Sequence, residues 1–186
     1  ATLGTFTATI AHEVRNPLAA VKIIMQLLSK DYPDKRFEHI QEELERLDLM
    51  VDELLGYSAG MQVDLQACAL QIVVRDVIRL LQRPADHADV SLDVRGAATV
   101  LADARRIRQL LLNLLLNAIQ AQHGDGKVMI EVRADGLAVI DDGPGVPEEL
   151  VGDLFTAFSS RRAQGTGLGL HLAKHIAEAH QANLSY

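Results

Sequence analysis

The sequence predicts an α-helical hairpin followed by an α+β two-layer sandwich. Two observations support this prediction. Between residues 3 and 54, apolar residues recur three and four positions apart, which is the spacing of a helical seam. After residue 65, segments with helical periodicity are interspersed with short β-type segments, without the regular alternation of a parallel α/β fold.

The first part of the chain has two apolar stripes, at residues 3–28 and 37–54. The segment between them contains two aspartates and Pro33, which favour a turn. Two helices cannot enclose a core on their own, so we expect a second copy to complete a dimeric four-helix bundle. A weaker alternative is that the stripe packs on the rest of its own chain.

Residues 56–64 lose the seam spacing and contain two glycines, which is typical of a linker. We therefore place the hairpin at residues 1–58, the linker at 59–65 and a second domain at 66–186. In that domain we predict helices at 69–81, 104–122 and 168–180 and strands at 90–94, 127–133 and 137–140. The last two strands flank Asp135-Gly136, a common hairpin turn.

Composition excludes several classes of function. The net charge is −7 and no basic tract is present, which disfavours a nucleic-acid binder because such proteins need a positive face. No apolar run reaches the roughly 18 residues of a membrane helix, so we expect no membrane contact by this segment. The single cysteine, Cys68, cannot form an internal disulfide and suits a reduced, cytoplasmic setting.

The first candidate site is the sequence HEVRNPL, which begins at His12. If Ile10 and Val14 lie on the seam, His12 points into solvent, and Asn16 lies beside it one turn later. Pro17 removes a helical hydrogen bond at a cost of about 3 kcal/mol, so we expect a bend close to His12. A lone exposed histidine is usually surface decoration. The zinc pattern H-E-x-x-H is excluded because its fifth position here is Asn16.

Asn113 and Asn117 form the second candidate site. They are one turn apart in a leucine-rich helix and therefore share a face. Amides on an apolar helix need hydrogen-bond partners, which could be neighbouring backbone or Mg²⁺ with its phosphates. The spacing alone leaves both options open.

Asp141 is the third candidate, at the end of a predicted strand and followed by Gly143 and Gly145. A carboxylate in this position can accept a hydrogen bond from an amino group. The glycines have no side chain, so a flat ring can lie against the backbone. Taken alone, this motif is better explained by a tight surface turn.

The last predicted helix is preceded by alternating glycines, in the order Gly165, Thr166, Gly167, Leu168 and Gly169. Backbone N–H groups at a helix N-terminus form a natural anion site. The segment is neither a P-loop nor a Rossmann fingerprint, and Arg161 upstream could supply positive charge. His171 and His175, one turn apart, could chelate a metal, but without a nearby cysteine or a zinc motif we favour a surface role.

In their order along the chain these motifs resemble the H, N, G1, F and G2 boxes of sensor histidine kinases. The matching segments are HExxNPL at 12–18, NxxxNA at 113–118, DxGxG at 141–145, LFxxF at 154–158 and GTGLGL at 165–170. The resemblance implies the Bergerat, or GHKL, ATP-binding fold, preceded by a dimerisation and histidine phosphotransfer hairpin.

The resemblance also implies a role for each residue of the first motif. His12 would be the nucleophile that attacks the γ-phosphate of ATP, and Glu13 would be the general base. Asn16 would orient water for dephosphorylation of the partner protein.

For the nucleotide site, the resemblance implies that Asn117 ligates Mg²⁺ and that Asn113 supports the metal or the phosphates. Asp141 would bind the adenine amino group, with Gly143 and Gly145 admitting the ring. The segment from Gly165 to Gly169, Thr166 and Leu168 included, would border the triphosphate. A lid at about 146–164 would be anchored by Phe155 and Phe158, with Arg161 near the place where the family often has a lysine.

The implied function is ATP-dependent phosphorylation of His12, followed by transfer to an aspartate of a response-regulator receiver domain in two-component signal transduction. The implied cofactors are ATP and Mg²⁺, the implied partners are a second copy and the response regulator, and the implied location is cytoplasmic, free or as part of a membrane-anchored sensor. Competing interpretations are an ATPase that performs conformational work and an inactive scaffold. The family's sensor region and last strands are missing, so we expect a C-terminally truncated sheet.

Overall fold

The computed structural model of the chain divides into two compact units, residues 1–60 and residues 61–186. In the second unit the structure describes residues 61–122, 124–157 and 167–186. In the first unit it describes residues 14, 17–25, 27–29, 37, 40, 44 and 47. The predicted limits of hairpin, linker and second domain, at residues 58 and 65, stay predictions.

All described residues of the first unit are helical. Most of their apolar side chains are exposed, with Val21 at 42%, Ile24 at 55% and Leu47 at 44%, whereas Leu44 is buried. Exposed apolar side chains at helical spacing are the expected surface for a second copy of the hairpin. The homodimer itself stays a prediction. His12, Glu13 and Asn16, and with them the bend predicted near His12, lie outside the described residues.

The second unit alternates strands and helices irregularly. Its described elements are, in chain order, β1 (Gln66–Ala69), α1 (Leu70–His87), β2 (Val90–Gly96), β3 (Thr99–Ala102), α2 (Ala104–Ala121), β4 (Gly126–Arg133), β5 (Gly136–Asp141), α3 (Glu148–Val151) and α4 (Gly169–Ala179). Among the described residues no helix combines the length and apolar character needed to cross a bilayer.

The strands form a three-stranded mixed sheet and a separate two-stranded ribbon. In the sheet, β4 lies between β2, to which it is parallel, and β5, to which it is antiparallel. In the ribbon, β1 pairs antiparallel with β3, with Cys68 opposite Val100. A parallel β2–β4 pair requires a long crossover, and α2 lies within it.

The core lies between the three-stranded sheet and the three long helices. Every second residue of β4 is buried, including Val128, Ile130 and Val132, so one face of the strand is apolar. Leu111 and Leu115 of α2 are fully buried, and α2 packs against both α1 and α4. One helical layer on one sheet is the α+β two-layer sandwich that the sequence predicted.

The prediction missed the two-stranded ribbon. The four residues of β1 read QACA and lack the alternation and the β-branched residues that mark a strand. The strand exists because it pairs along its whole length with β3, and such a long-range partner leaves no local signal.

Most of the predicted boundaries differ from the structure by one or two residues, and two of the differences have a clear cause. We expected the first helix of this unit to end at residue 81, but α1 continues through Pro84 to His87. Ala85 in the added turn is completely buried, and this packing offsets the hydrogen bond that Pro84 cannot donate. The β4–β5 turn was expected at Asp135-Gly136, whereas Gly136 pairs with Arg133 and the turn lies one residue earlier.

Candidate functional site

Helix α2 carries two asparagines, Asn113 and Asn117, on one face. The start of the helix is capped by Asp103, whose side chain accepts hydrogen bonds from the backbone N–H groups of Arg105 and Arg106. Asn113 is only 7% exposed, and Asn117 is half-buried. In the described part of the chain, neither amide side chain makes a hydrogen bond.

Neighbouring backbone was one possible hydrogen-bond partner for these two amides, and neither amide uses it within the described residues. Side-chain amides that the fold does not use are available to a ligand. Of the two options for Asn113 and Asn117, the ligand is the one that remains.

The cap residue Asp103 is ionised within a mostly buried junction between β3 and α2. Burial raises the pKa of its carboxyl, but backbone hydrogen bonds from Asp64, Arg106 and Arg105, together with the Arg105 charge, outweigh burial and hold the pKa below its usual value. The negative charge stabilises the positive N-terminal end of α2. Burial, followed by the charge of Asp103, raises the pKa of Cys68, so its thiol stays protonated and acts as a small packed hydrophobe.

The loop after β5 holds Asp141 and Gly143 in close contact. Asp141 is exposed at the end of the strand, and its Oδ1 accepts a hydrogen bond from the Gly143 N–H at 3.0 Å. A Cβ on Gly143 would lie 2.7 Å from that oxygen and 3.3 Å from Ala121 at the end of α2. Any larger residue at position 143 would therefore displace the Asp141 carboxylate or the loop.

Gly145 in the same loop has a φ of +72°, a conformation that glycine adopts at little cost. A Cβ at this position would lie 3.3 Å from the hydroxyl of Tyr186. That hydroxyl accepts a hydrogen bond from the Val146 N–H at 2.9 Å. Tyr186 is a contact of this loop that the sequence did not point to.

Phe155 is tied to α4 by two contacts. Its carbonyl oxygen accepts a hydrogen bond from His171 Nδ1 at 2.8 Å, and its ring centroid lies 5.7 Å from Lys174 Nζ. His171 and Lys174 were not predicted to take part in the site. They are three residues apart and therefore lie on one face of α4, and this spacing was the only signal of their role in the sequence.

The glycine-rich segment is described from Gly167 onward. Gly167 has a φ of +69°, Leu168 is buried, and Gly169 begins α4. The other predicted members of this region, namely Phe158, Arg161, Gly165 and Thr166, lie outside the described residues.

The elements that carry the predicted nucleotide-site residues are neighbours in the second unit. Helix α2, with Asn113 and Asn117, packs against α4, which begins at Gly169. It also packs against β5, which ends at Asp141. The elements that carry the amide oxygens, the carboxylate and the glycine-rich backbone are therefore in contact through α2.

The chain matches two family models. Residues 2–60 match the His Kinase A (phospho-acceptor) domain, and residues 102–186 match the histidine kinase-, DNA gyrase B- and HSP90-like ATPase. Sensor protein kinase PilS of Pseudomonas aeruginosa is 36% identical, over 99% of this chain and 38% of its own length. The chain spans less than half the length of the curated relatives PilS, AtoS and ZraS.

Solved structures give the same result. Full-length ShkA in complex with AMPPNP matches 94% of this chain and 41% of its own, with 25% identity and a TM-score of 0.70. The catalytic domain of histidine kinase ThkA matches 62% of this chain and 80% of its own, with 32% identity and a TM-score of 0.56. ThkA in complex with response regulator protein TrrA matches 97% of this chain and 56% of its own, with 30% identity and a TM-score of 0.59.

The α+β sandwich, the amide pair on α2 and these matches agree with the resemblance found in the sequence motifs, and the chain belongs to the sensor histidine kinases of two-component systems.

Proposed function

We propose that the chain is the catalytic core of a sensor histidine kinase that phosphorylates His12 with ATP and passes the phosphoryl group to an aspartate of a response regulator. The main structural support is the amide pair on α2. Asn113 is mostly buried and shares a face with Asn117, and neither amide makes a hydrogen bond to another described residue. This helix packs against the elements that carry the carboxylate and glycine loops.

For the phosphoryl donor, we propose that Asp141 accepts a hydrogen bond from the adenine amino group. Its exposed carboxylate can accept further hydrogen bonds beside the one from Gly143. Gly143 and Gly145 would let the ring approach the backbone. Gly167 and Gly169, with Leu168 between them, would border the phosphates at the start of α4.

Three further residues complete the proposed triphosphate site. Gly165 and Thr166 would extend the border formed by Gly167, and Arg161 would place a positive charge near the γ-phosphate.

The amide oxygens of Asn113 and Asn117 suit a hard divalent cation, and we propose that Asn117 ligates Mg²⁺ with support from Asn113. When bound, Mg²⁺ supplies positive charge against the phosphate oxygens. The protein's own contribution is to hold the two amides on one rigid helix whose start is fixed by Asp103.

In the chemical step, an imidazole nitrogen of His12 would form a bond to the γ-phosphorus. The bond from that phosphorus to the β–γ bridging oxygen would break, and ADP would leave. Glu13 would take the proton that the ring then releases. In the second step the phosphoryl group would pass from the ring nitrogen to a carboxylate oxygen of the response regulator. Asn16 would orient a water molecule for the later dephosphorylation of that regulator.

For partners, we propose a second copy of the chain and a receiver domain. The exposed apolar side chains of the helical residues in the first unit suit a homodimer. ThkA, which is similar to this chain, has been solved in complex with its response regulator. Because ATP is the phosphoryl donor, we propose that this segment works in the cytoplasm. We keep residues 1–58, 59–65 and 66–186 as the proposed hairpin, linker and ATP-binding domain.

A labelling experiment tests the proposal. The chain is incubated with γ-labelled ATP and Mg²⁺, and the protein-bound label is tested for lability in acid and stability in base. We expect label on the wild type, none on His12→Gln, and a large loss on Asn117→Ala, with the exposed control Asn183→Ala unchanged. ATP turnover without label would support the competing ATPase, and absence of nucleotide binding would support the scaffold.

A further inference from the structure

His171 and His175 of α4 bring two ring nitrogens together. Their Nε2 atoms are 3.1 Å apart, and the rings meet edge to face with centroids 4.5 Å apart. The residues are one helical turn apart, the spacing with which histidine pairs chelate metals on helices. The side chain of His175 is 45% exposed, so the pair is open to solvent.

The second nitrogen of each ring faces an oxygen. His171 Nδ1 lies 2.8 Å from the carbonyl oxygen of Phe155, and His175 Nδ1 lies 3.4 Å from Glu178 Oε2. Metal-binding histidines usually donate this other N–H to a carbonyl or carboxylate, which fixes the ring orientation and the tautomer. Both rings of this pair have such an oxygen.

Two neutral rings have one N–H group too few for the three contacts of the pair. The Phe155 carbonyl only accepts, so the proton of neutral His171 is on Nδ1 and its Nε2 is an acceptor. His175 must then donate from Nε2, which leaves its Nδ1 without a proton towards Glu178. Protonation of His175 supplies the missing donor. A metal cation between the two Nε2 atoms does so as well, because each Nδ1 then keeps its proton and donates it to its oxygen.

We infer that His171 and His175 form a binding site for a divalent transition metal of the Zn²⁺, Ni²⁺ or Cu²⁺ class. Two Zn–N bonds of about 2.0–2.1 Å at a tetrahedral angle place the nitrogens about 3.3 Å apart, close to the observed 3.1 Å. No group of three potential ligands occurs among the described residues, so water fills the remaining positions. His171 also contacts Phe155 of the proposed lid, but metal binding by the pair requires neither nucleotide nor kinase activity.

Zinc titration of the chain by calorimetry, without nucleotide or Mg²⁺, tests this site. The variant His175→Gln should lose one binding event or bind it about tenfold more weakly or worse. His87→Gln, which changes an exposed histidine in the last turn of α1, is the matched control and should bind as the wild type. Affinity should fall as the pH is lowered, because protons compete for the same nitrogen lone pairs.

Electron paramagnetic resonance with Cu²⁺ gives a second readout. The wild type should show coupling to two ring nitrogens, and His175→Gln should lose it while its circular dichroism stays unchanged. Unaltered zinc affinity in His175→Gln, or a wild-type spectrum with a single nitrogen, would overturn the assignment.

Discussion

His180 accepts a hydrogen bond at its Nε2 from the backbone N–H of Asp103, at 3.0 Å. Its Nδ1 lies 2.8 Å from the carbonyl oxygen of Ile176, which can only accept, so the ring is held as the tautomer with its proton on Nδ1. This single side chain connects the end of α4 to the start of α2. It thereby joins the two helices that carry the glycine-rich segment and the amide pair.

The variant His180→Ala should therefore destabilise the second unit. It leaves the N–H of a mostly buried residue, Asp103, without its partner, at a cost of about 1–3 kcal/mol in the free energy of unfolding. Urea unfolding followed by circular dichroism measures this change. His87→Ala removes an exposed histidine and should shift the value by less than about 0.5 kcal/mol. Equal stabilities of the two variants would show that the hydrogen bond is unimportant.

Asp103 should make the stability depend on pH in the acid range. The pKa of this carboxyl in the folded chain is below its usual value of about 3.9, so the unfolded chain binds the proton more tightly. Its contribution to stability is complete above pH 3.9 or so and is lost as the pH falls through the lowered folded-state pKa.

The variant Asp103→Asn tests this contribution. It should be less stable than the wild type at pH 7, because it lacks the charged cap of α2, and the difference should shrink as the pH approaches 3 or so. Urea unfolding between pH 3 and 7 measures both curves. Two curves that stay parallel over this range would contradict the assignment.

The sequence predicted the parts of the site that depend on local spacing. The shared face of Asn113 and Asn117 and the strand end at Asp141 follow from helical and strand periodicity, and the structure has both. The contact of His180 with Asp103 joins residues 77 positions apart, and no local pattern reveals such a pair. The same holds for the ribbon β1–β3, which is defined by its pairing rather than by its residues.

Asn113 is expected to serve binding rather than the fold. Its side chain makes no hydrogen bond to another described residue, so Asn113→Leu should keep the free energy of unfolding within about 1 kcal/mol of the wild type. The same variant should lose most of its affinity for a fluorescent ATP analogue.

Gln120→Leu is a matched control for this variant, because Gln120 is an exposed residue of the same helix. It should bind the analogue as the wild type does. If Asn113→Leu is destabilised by more than about 1 kcal/mol, the amide serves the fold and the proposed role in binding is wrong.

The addition of a single methyl group at Gly143 should disturb the proposed adenine site. A Cβ there would lie 2.7 Å from Asp141 Oδ1, a distance that forces the carboxylate or the loop to move. A hydrogen bond to a charged group is worth about 1.5–3 kcal/mol, so loss of the Asp141 contact to adenine should weaken nucleotide binding about tenfold or more. Calorimetry with a non-hydrolysable ATP analogue and Mg²⁺ measures this affinity in Gly143→Ala.

The control is Gln120→Ala, because Gln120 is an exposed residue of α2 that lies outside the proposed nucleotide site and lid. Its nucleotide affinity should stay within about twofold of the wild type, since surface changes of this kind alter free energies by less than about 0.5 kcal/mol. To separate adenine recognition from general damage to the loop, inosine triphosphate, which lacks the amino group, is compared with ATP. The wild type should prefer ATP and Gly143→Ala should not; an unchanged preference would mean that Asp141 does not bind the amino group.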